Sequence, residues 1–330
     1  MSLRGFVSFA IGKISGAIIT IFAIICFNFV LFRMIPGDPV RLMFRDPRVP
    51  LEAWELARER FGLTGTLWEQ FIAYLNRLFL HGDLGTSFWR GKPVLEVVAA
   101  RIPNTLWLII LSIILAIIIG TILGAICGWR AGTKLDTSIV AIALSMWSLP
   151  GFCIGLIFLL IFAIRLGIFP LGGLYTPASG LSGLAYLRDV LWHAFLPVCT
   201  LIIWYMGEYL ILMRGAMVDV VGQDYITTAR AKGLKESTIL KNHALRNAIL
   251  PVVTLAGISL AYAVAGVVQI ETVFGWPGVG RLMYEAVMNR DYPLVQGVFL
   301  VLAVAVVMAN LIVDLIYGYI DPRIKIGRSA

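Results

Sequence analysis

Long apolar runs separated by polar segments organise this chain. Six of them, at about 14–35, 106–128, 138–169, 192–213, 249–274 and 294–317, carry few charges. Each extends over roughly 20 residues or more, enough for a helix to cross a hydrocarbon core of about 30 Å. The pattern therefore predicts six transmembrane helices. The third run is longer than a span needs and leaves room for tilt or an interfacial end. The uncharged stretch of the first run exceeds a signal-peptide core, and Arg33-Met34-Ile35-Pro36 offers no small-residue cleavage site. It reads as a retained first span.

Between the first two runs the pattern turns amphipathic. Pro36-Gly37-Asp38-Pro39 ends the first helix, and Trp54, Leu56, Ala57 and Phe61 mark a short surface helix over 51–61. Trp68, Phe71, Ile72, Leu75, Leu78 and Phe79 recur at three- and four-residue spacing, which predicts a second amphipathic helix. Gly82 to Ser87 reads as a tight turn. This external segment is either a small lid packed on the bundle or a wall beside a substrate entry. The expected divisions are 1–35 (N-terminus and first span), 36–102 (external segment), 103–317 (a five-helix core containing a polar loop at 214–248) and 318–330 (C-terminal tail).

Small residues recur every four positions on two spans: Gly120, Gly124 and Gly128 on the second, and Gly257, Ala261 and Ala265 on the fifth. Such stripes let helices approach closely where lipid removes the hydrophobic drive to associate. The first stripe suits contacts within the chain. For the second, a pore-lining or subunit-contact role is equally open. Pro150-Gly151 and Pro197 interrupt spans three and four, as kinks or as hinges lining a pathway.

Composition supports the membrane reading: of 330 residues 59% are hydrophobic and 14% charged, which argues against a soluble globule. The net charge of +8 is mostly topological. Arg130, Lys134, Arg214, Arg230, Lys232, Lys235, Lys241, Arg246, Arg323, Lys325 and Arg328 fall on one side, which the positive-inside rule makes cytoplasmic, with both termini. No basic face on a soluble domain points to nucleic acid. Cys26, Cys127, Cys153 and Cys199 all lie in apolar runs, without a metal-type or disulfide spacing.

No catalytic constellation appears. His81, His193 and His243 are isolated, and no nucleotide-binding glycine loop is present, so any ATP would be bound by another chain. Glu208, Glu271 and Asp314 lie near span ends. Interfacial pairing or snorkelling accounts for them, with Glu208 left open as a functional group.

The polar stretch 224–251 stands apart. It reads as helix, turn, helix, with Gly233 permitting the reversal and Pro251 early in the next span, a rigid object on which a partner could push. Here Ala229, Gly233 and Leu250-Pro251 resemble the EAA-type motif of ABC-importer permeases. Thr227 and Thr228 stand where that motif has Glu and its first Ala, as in peptide and nickel importers. PGDP (36–39), GDLGTS (82–87), RIPNTLWL (101–108), ETVFGWPGVG (271–280), Asp291-Tyr292-Pro293 and VDLIYGYIDPR (313–323) resemble the same subgroup in order and spacing.

The chain is thus similar to the B-type membrane subunit of dipeptide, oligopeptide and nickel ABC importers. The resemblance implies a type I importer permease fold in a prokaryotic inner membrane and half of a translocation pathway. The implied partners are a homologous C-type permease, two cytoplasmic ATPases carrying ATP and Mg, and an external substrate-binding protein. It also implies a coupling role for Asp224, Tyr225, Thr227, Thr228, Ala229, Arg230, Gly233, Leu234, Leu250 and Pro251. Tyr225 and Leu234 would be apolar anchors, and Ala229 would keep the contact face shallow. Glu208, Ser259, Tyr262 and Gln269 are candidate pathway residues. The competing expectation is a self-sufficient secondary transporter or channel, which would show inverted repeats and mid-membrane coupling charges. An intramembrane enzyme lacks paired catalytic groups.

Overall fold

A computed structural model describes residues 3–34, 64–262 and 268–320, together with Glu52, Glu55 and Glu59. The 36–39 turn, nearly all of the expected 51–61 helix, Ala265 and the tail after 320 lie outside the described residues. What is described is helical, with no strand beyond an isolated bridge between Thr86 and Pro93. Two compact units are present, Met1–Pro103 with Gly278–Ala330, and Asn104–Pro277.

In the first unit, α1 (Leu3–Met34) lies against the last helix, and α2 (Leu67–His81) is the expected amphipathic helix. Thr66 and Glu69 close a capping box at its start, and Gly82 in a left-handed conformation ends it. Phe71 and Tyr74 seat it on Phe29 of α1, with ring centroids 5.1 and 5.7 Å apart. The Gly82–Ser87 turn belongs to a miniature hairpin: Val94 N–H bonds Gly85 O at 2.9 Å and Ser87 N–H bonds Lys92 O at 2.9 Å. After it comes α3 (Val94–Ala99).

The second unit is built on α4 (Ile102–Trp129), α5 (Lys134–Trp147), α6 (Gly151–Phe158) and α7 (Gly183–Val221). The glycine stripe of α4 packs inside the chain on α7. A Cβ added at Gly120 would stand 2.7 Å from Met206 O, at Gly124 2.5 Å from Leu210 O, and at Gly128 2.5 Å from Met217 Cβ. Only glycine admits this approach, so the stripe is a helix–helix seam within the subunit.

The expected third span is not one rod. It breaks at Ser148-Leu149-Pro150, and α5 meets α6 and its wider-wound extension Leu159–Arg165 at 97°. Pro150 cannot continue the hydrogen-bond ladder of α5 and instead precedes the first residue of α6. Pro197, by contrast, sits inside a helix that continues through it. At 39 residues α7 runs about 58 Å, well beyond a single crossing. It begins nine residues before the apolar run because Arg188 and Asp189 lower hydropathy without stopping a helix. Asp189 accepts from Thr176 N–H at 2.6 Å, and its carbonyl lies 2.8 Å from His193 Nδ1.

The chain continues through α8 (Asp224–Ala231), α9 (Glu236–Thr238), a wide turn Ile239–Ala244 and α10 (Leu245–Ala248). Then follow α11 (Leu250–Tyr262) and α12 (Val268–Val273), and in the first unit α13 (Val279–Met288) and α14 (Tyr292–Ile320). Among the described residues four helices and the bent pair suffice by length and composition to cross a membrane. The remaining expected span, 249–274, is described only as α11 and α12.

Candidate functional site

The segment 224–248 has two unlike faces. Ile226 and Ala229 of α8, Ile239 and Ala244 of the wide turn, and Ala248 of α10 are buried. They share a core with Tyr209, Met213 and Met217 of α7 and Ala116 and Ala125 of α4. Asp224, Tyr225, Thr227, Thr228, Arg230, Lys232, Gly233 and Leu234 form the opposite, exposed face. Ala229 therefore does not shape an outer contact surface. It is turned inward, where its small side chain lets α8 sit close to its own bundle.

Local chemistry fixes this shape. Gly233 has φ +77°, its N–H bonds Arg230 O at 2.9 Å, and Leu234 N–H bonds Ala229 O at 3.3 Å. These two bonds are the paired closures of a Schellman cap, which a left-handed glycine permits. Across the turn Arg230 forks onto Glu236 at 2.9 and 3.3 Å. Both groups are exposed, so the pair holds geometry more than it stabilises, at roughly 0.2–1 kcal/mol. Asn247 Nδ2 donates to Tyr225 Oη at 3.0 Å and ties α10 to α8. Thr228 Oγ1 donates to Asp224 O at 2.9 Å. Leu250 is exposed, and Pro251 occupies the first turn of α11, where its missing N–H is not needed. The structure thus places the candidates from Asp224 to Leu234 on one capped helix and its turn, with Leu250 and Pro251 at the start of the next helix.

The pathway candidates are spread over three helices. Half-buried Glu208 is on α7, half-buried Ser259 on α11 and exposed Gln269 on α12, while the side chain of Tyr262 lies outside the described residues. The other two charged candidates have partners. Asp314 pairs with Lys13 at 2.6 Å, and buried Glu271 accepts from Thr105 Oγ1 at 2.6 Å.

Two family-like stretches lock together around Glu271. Trp276 Nε1 donates to Asn104 O at 3.0 Å, and Asn104 Nδ2 donates to Pro277 O at 3.0 Å. A second pair of stretches meets at Asp291. Its buried carboxylate accepts from Ser87 Oγ, from Phe88 and Trp89 N–H at 3.1 Å each, and from Leu294 N–H at 3.3 Å. The last bond caps α14, with Pro293 at a position that needs no donor.

Sequence reading missed one further cluster. Asp136, 1% exposed, receives Arg214 Nε and Nη2 at 2.6 and 2.7 Å and Gly132 N–H at 2.9 Å. In the sequence Arg214 reads only as one of the basic residues on the cytoplasmic side. An acidic residue beside the Arg130–Lys134 turn was the available signal. Among the described residues no group of His, Cys, Asp and Glu could hold a metal ion.

The described residues thus combine apolar helices long enough to cross a membrane with an exposed polar helix–turn–helix. Residues 116–326 match the family described as binding-protein-dependent transport system inner membrane component, and 6–109 match the N-terminal part of such membrane components. The chain belongs to this family. It is 37% identical to the oligopeptide transport system permease protein AppB of Bacillus subtilis, over 90% of this chain and 93% of that protein. Identity to the dipeptide transport system permease protein DppB of Escherichia coli is 33%, covering 96% and 98%. The glutathione transport system permease protein GsiC of Escherichia coli O6:H1 is 34% identical, covering 96% and 99%. The chain is accordingly a permease of B-type peptide-importer character with the type I permease fold.

Proposed function

We propose that this chain is one membrane subunit of an ATP-driven importer of peptides, and that 224–248 couples it to a separate ATPase. The observation that carries this reading is the two-faced segment, anchored inward by Ile226, Ala229 and Ile239 and exposing Tyr225, Arg230 and Leu234. A rigid element fixed to the bundle transmits displacement, and ATP-driven closure of two ATPases supplies it. The bundle then turns between two states as packed bodies, biased by a few kcal/mol of differential docking energy. ATP and Mg reside on the ATPases. A homologous C-type permease completes the pathway, an external binding protein delivers substrate, and both termini are cytoplasmic. Peptides are the substrate class because the relatives' names specify oligopeptides, dipeptides and glutathione.

The broken third span belongs to the pathway wall in this reading. Residues 144–150, around the break, are exposed, yet α5 has by then risen about 21 Å from its start. Irregular backbone at membrane depth does not face lipid; it lines water or packs against protein. Ser145, Trp147 and Ser148 therefore join Glu208, Ser259, Tyr262 and Gln269 as pathway residues.

Purification of the tagged chain in mild detergent, with identification of every companion, tests the proposal. A second permease and nucleotide-binding ATPases are the expected companions. A chain that is reproducibly alone and transports in liposomes without ATP overturns it in favour of a secondary transporter.

A further inference from the structure

The turn between α4 and α5 carries none of the family-like motifs, yet it receives side chains from both directions. On one side Arg230 of α8 lies over the ring of Trp129, the last residue of α4, at 5.5 Å from the ring centroid. On the other, Asp136 in the first turn of α5 binds Arg214 of α7 through two parallel bonds. Thr133 Oγ1 accepts from Asp136 N–H at 3.3 Å, and Gly132 N–H donates back to its carboxylate at 2.9 Å, so the turn itself is closed. Beneath it, Gly128 admits Arg214 O and Met217 Cβ to within 2.8 and 2.5 Å of where its own Cβ would be. α4, α5, α7 and α8 are thereby joined within a few residues of one another.

We infer that Trp129, Asp136 and Arg214 are positioning residues that make α8 and the start of the broken third span move as one body. This rests on the coupling reading of 224–248. The chemistry fits a mechanical role. A bidentate guanidinium–carboxylate pair fixes angle as well as distance, and its carboxylate end is buried while Arg214 stays partly exposed. The Trp129 contact is a cation–π arrangement, and Arg230 is held in it by its fork onto Glu236. A displacement of α8 therefore reaches α5 through the Arg230–Trp129 contact and the closed turn, whose far side Arg214 braces to α7 through Asp136. The span that carries the 97° break is the one so driven.

Spin labels at Lys241 and Ser138, both exposed, test this in the complex purified with its ATPases, in a background lacking the four native cysteines. The separation of the pair should be the same without nucleotide and with ATP and vanadate. In Trp129→Ala and in Arg214→Lys, which keeps a cation on Asp136 but loses the fork, ATP and vanadate should shift it by about 2 Å or more. Trp129→Phe should restore the invariant separation. A separation that already shifts in the parent chain, or stays fixed in both disruptive variants, overturns the inference while leaving the coupling segment intact. A separate label at Thr227 reports on docking: mobility indifferent to ATP and vanadate defeats the coupling reading, and the clamp with it.

Discussion

The Asp291 corner and the 224–248 segment use similar residue types to opposite ends. Around Asp291 the buried carboxylate spends its hydrogen-bonding capacity on Ser87, Phe88, Trp89 and Leu294, all within the chain. In 224–248 the inward residues are apolar, and the polar ones lie on the exposed side, where Arg230–Glu236, Asn247–Tyr225, Thr228–Asp224 and Arg230–Trp129 contacts brace some of them. The first arrangement is satisfied within the chain, whereas the second presents a closed shape with an exposed face. Two recognisable motifs in one permease thus have different physical meanings: one closes a fold, and the other leaves a face exposed, which the coupling proposal reads as a docking surface.

The comparison breaks most visibly at Asp291. Asp291→Ala leaves four donors without their acceptor in a largely buried corner, a loss of about 3–5 kcal/mol. The expected result is a steep fall in folded yield and in thermal midpoint in detergent. Asp291→Asn keeps one acceptor and should fall in between. A midpoint unchanged in Asp291→Ala would show that the corner does not hold the first unit together. Gly124→Ala comes next, at about 1–3 kcal/mol, because its new methyl meets the carbonyl of Leu210 rather than a flexible side chain. The same thermal measurement checks it.

How far the sequence disclosed these features depends on their range. Local periodicity revealed α2, and the glycine spacing anticipated the α4 seam. The helix–turn–helix was legible because Gly233 is flanked by good helix formers. Partners distant in sequence were not legible. Ser87 and Asp291 are 204 residues apart, and Asp136 and Arg214 are 78 apart; neither spacing follows a helical repeat. Pro150-Gly151 marked the place of the break, but hydropathy hid its 97° size, since the residues around Pro150 are apolar whether or not the helix continues. The motif names Ala229 without giving its direction, and only the packing of α8 shows that it faces inward.

Gly233 sharpens the comparison from the other side. A Cβ there meets nothing within 4 Å, so a side chain encounters only the left-handed backbone conformation, a strain of about 1 kcal/mol that aspartate tolerates comparatively well. Gly233→Asp should therefore leave thermal stability within about 1–2 kcal/mol of the parent chain. Transport per ATP hydrolysed in the reconstituted complex should nevertheless fall at least about tenfold, a docking loss near 1.4 kcal/mol. Uptake at the parental rate would mean that the exposed face of the turn is not a docking surface.

The smallest effect concerns the cap of α2, which is exposed but internally satisfied. The Thr66 N–H, which bonds Glu69 at 2.7 Å, and then the Thr66 hydroxyl hold the Glu69 carboxyl below the usual carboxylate range. A lowered value in the folded chain means that the charged form favours the folded cap. That contribution is fully present above the unfolded pKa, about 4.3, and is lost as pH falls through the lower folded value. Protection of the amides in the first turn of α2 against hydrogen exchange, corrected for intrinsic rates, should decline over that acid window. In Glu69→Ala it should be low and flat across the window, while the rest of the helix, seated on Phe29, keeps its protection. A first turn equally protected with and without Glu69 would place the whole stability of α2 in its packing on α1.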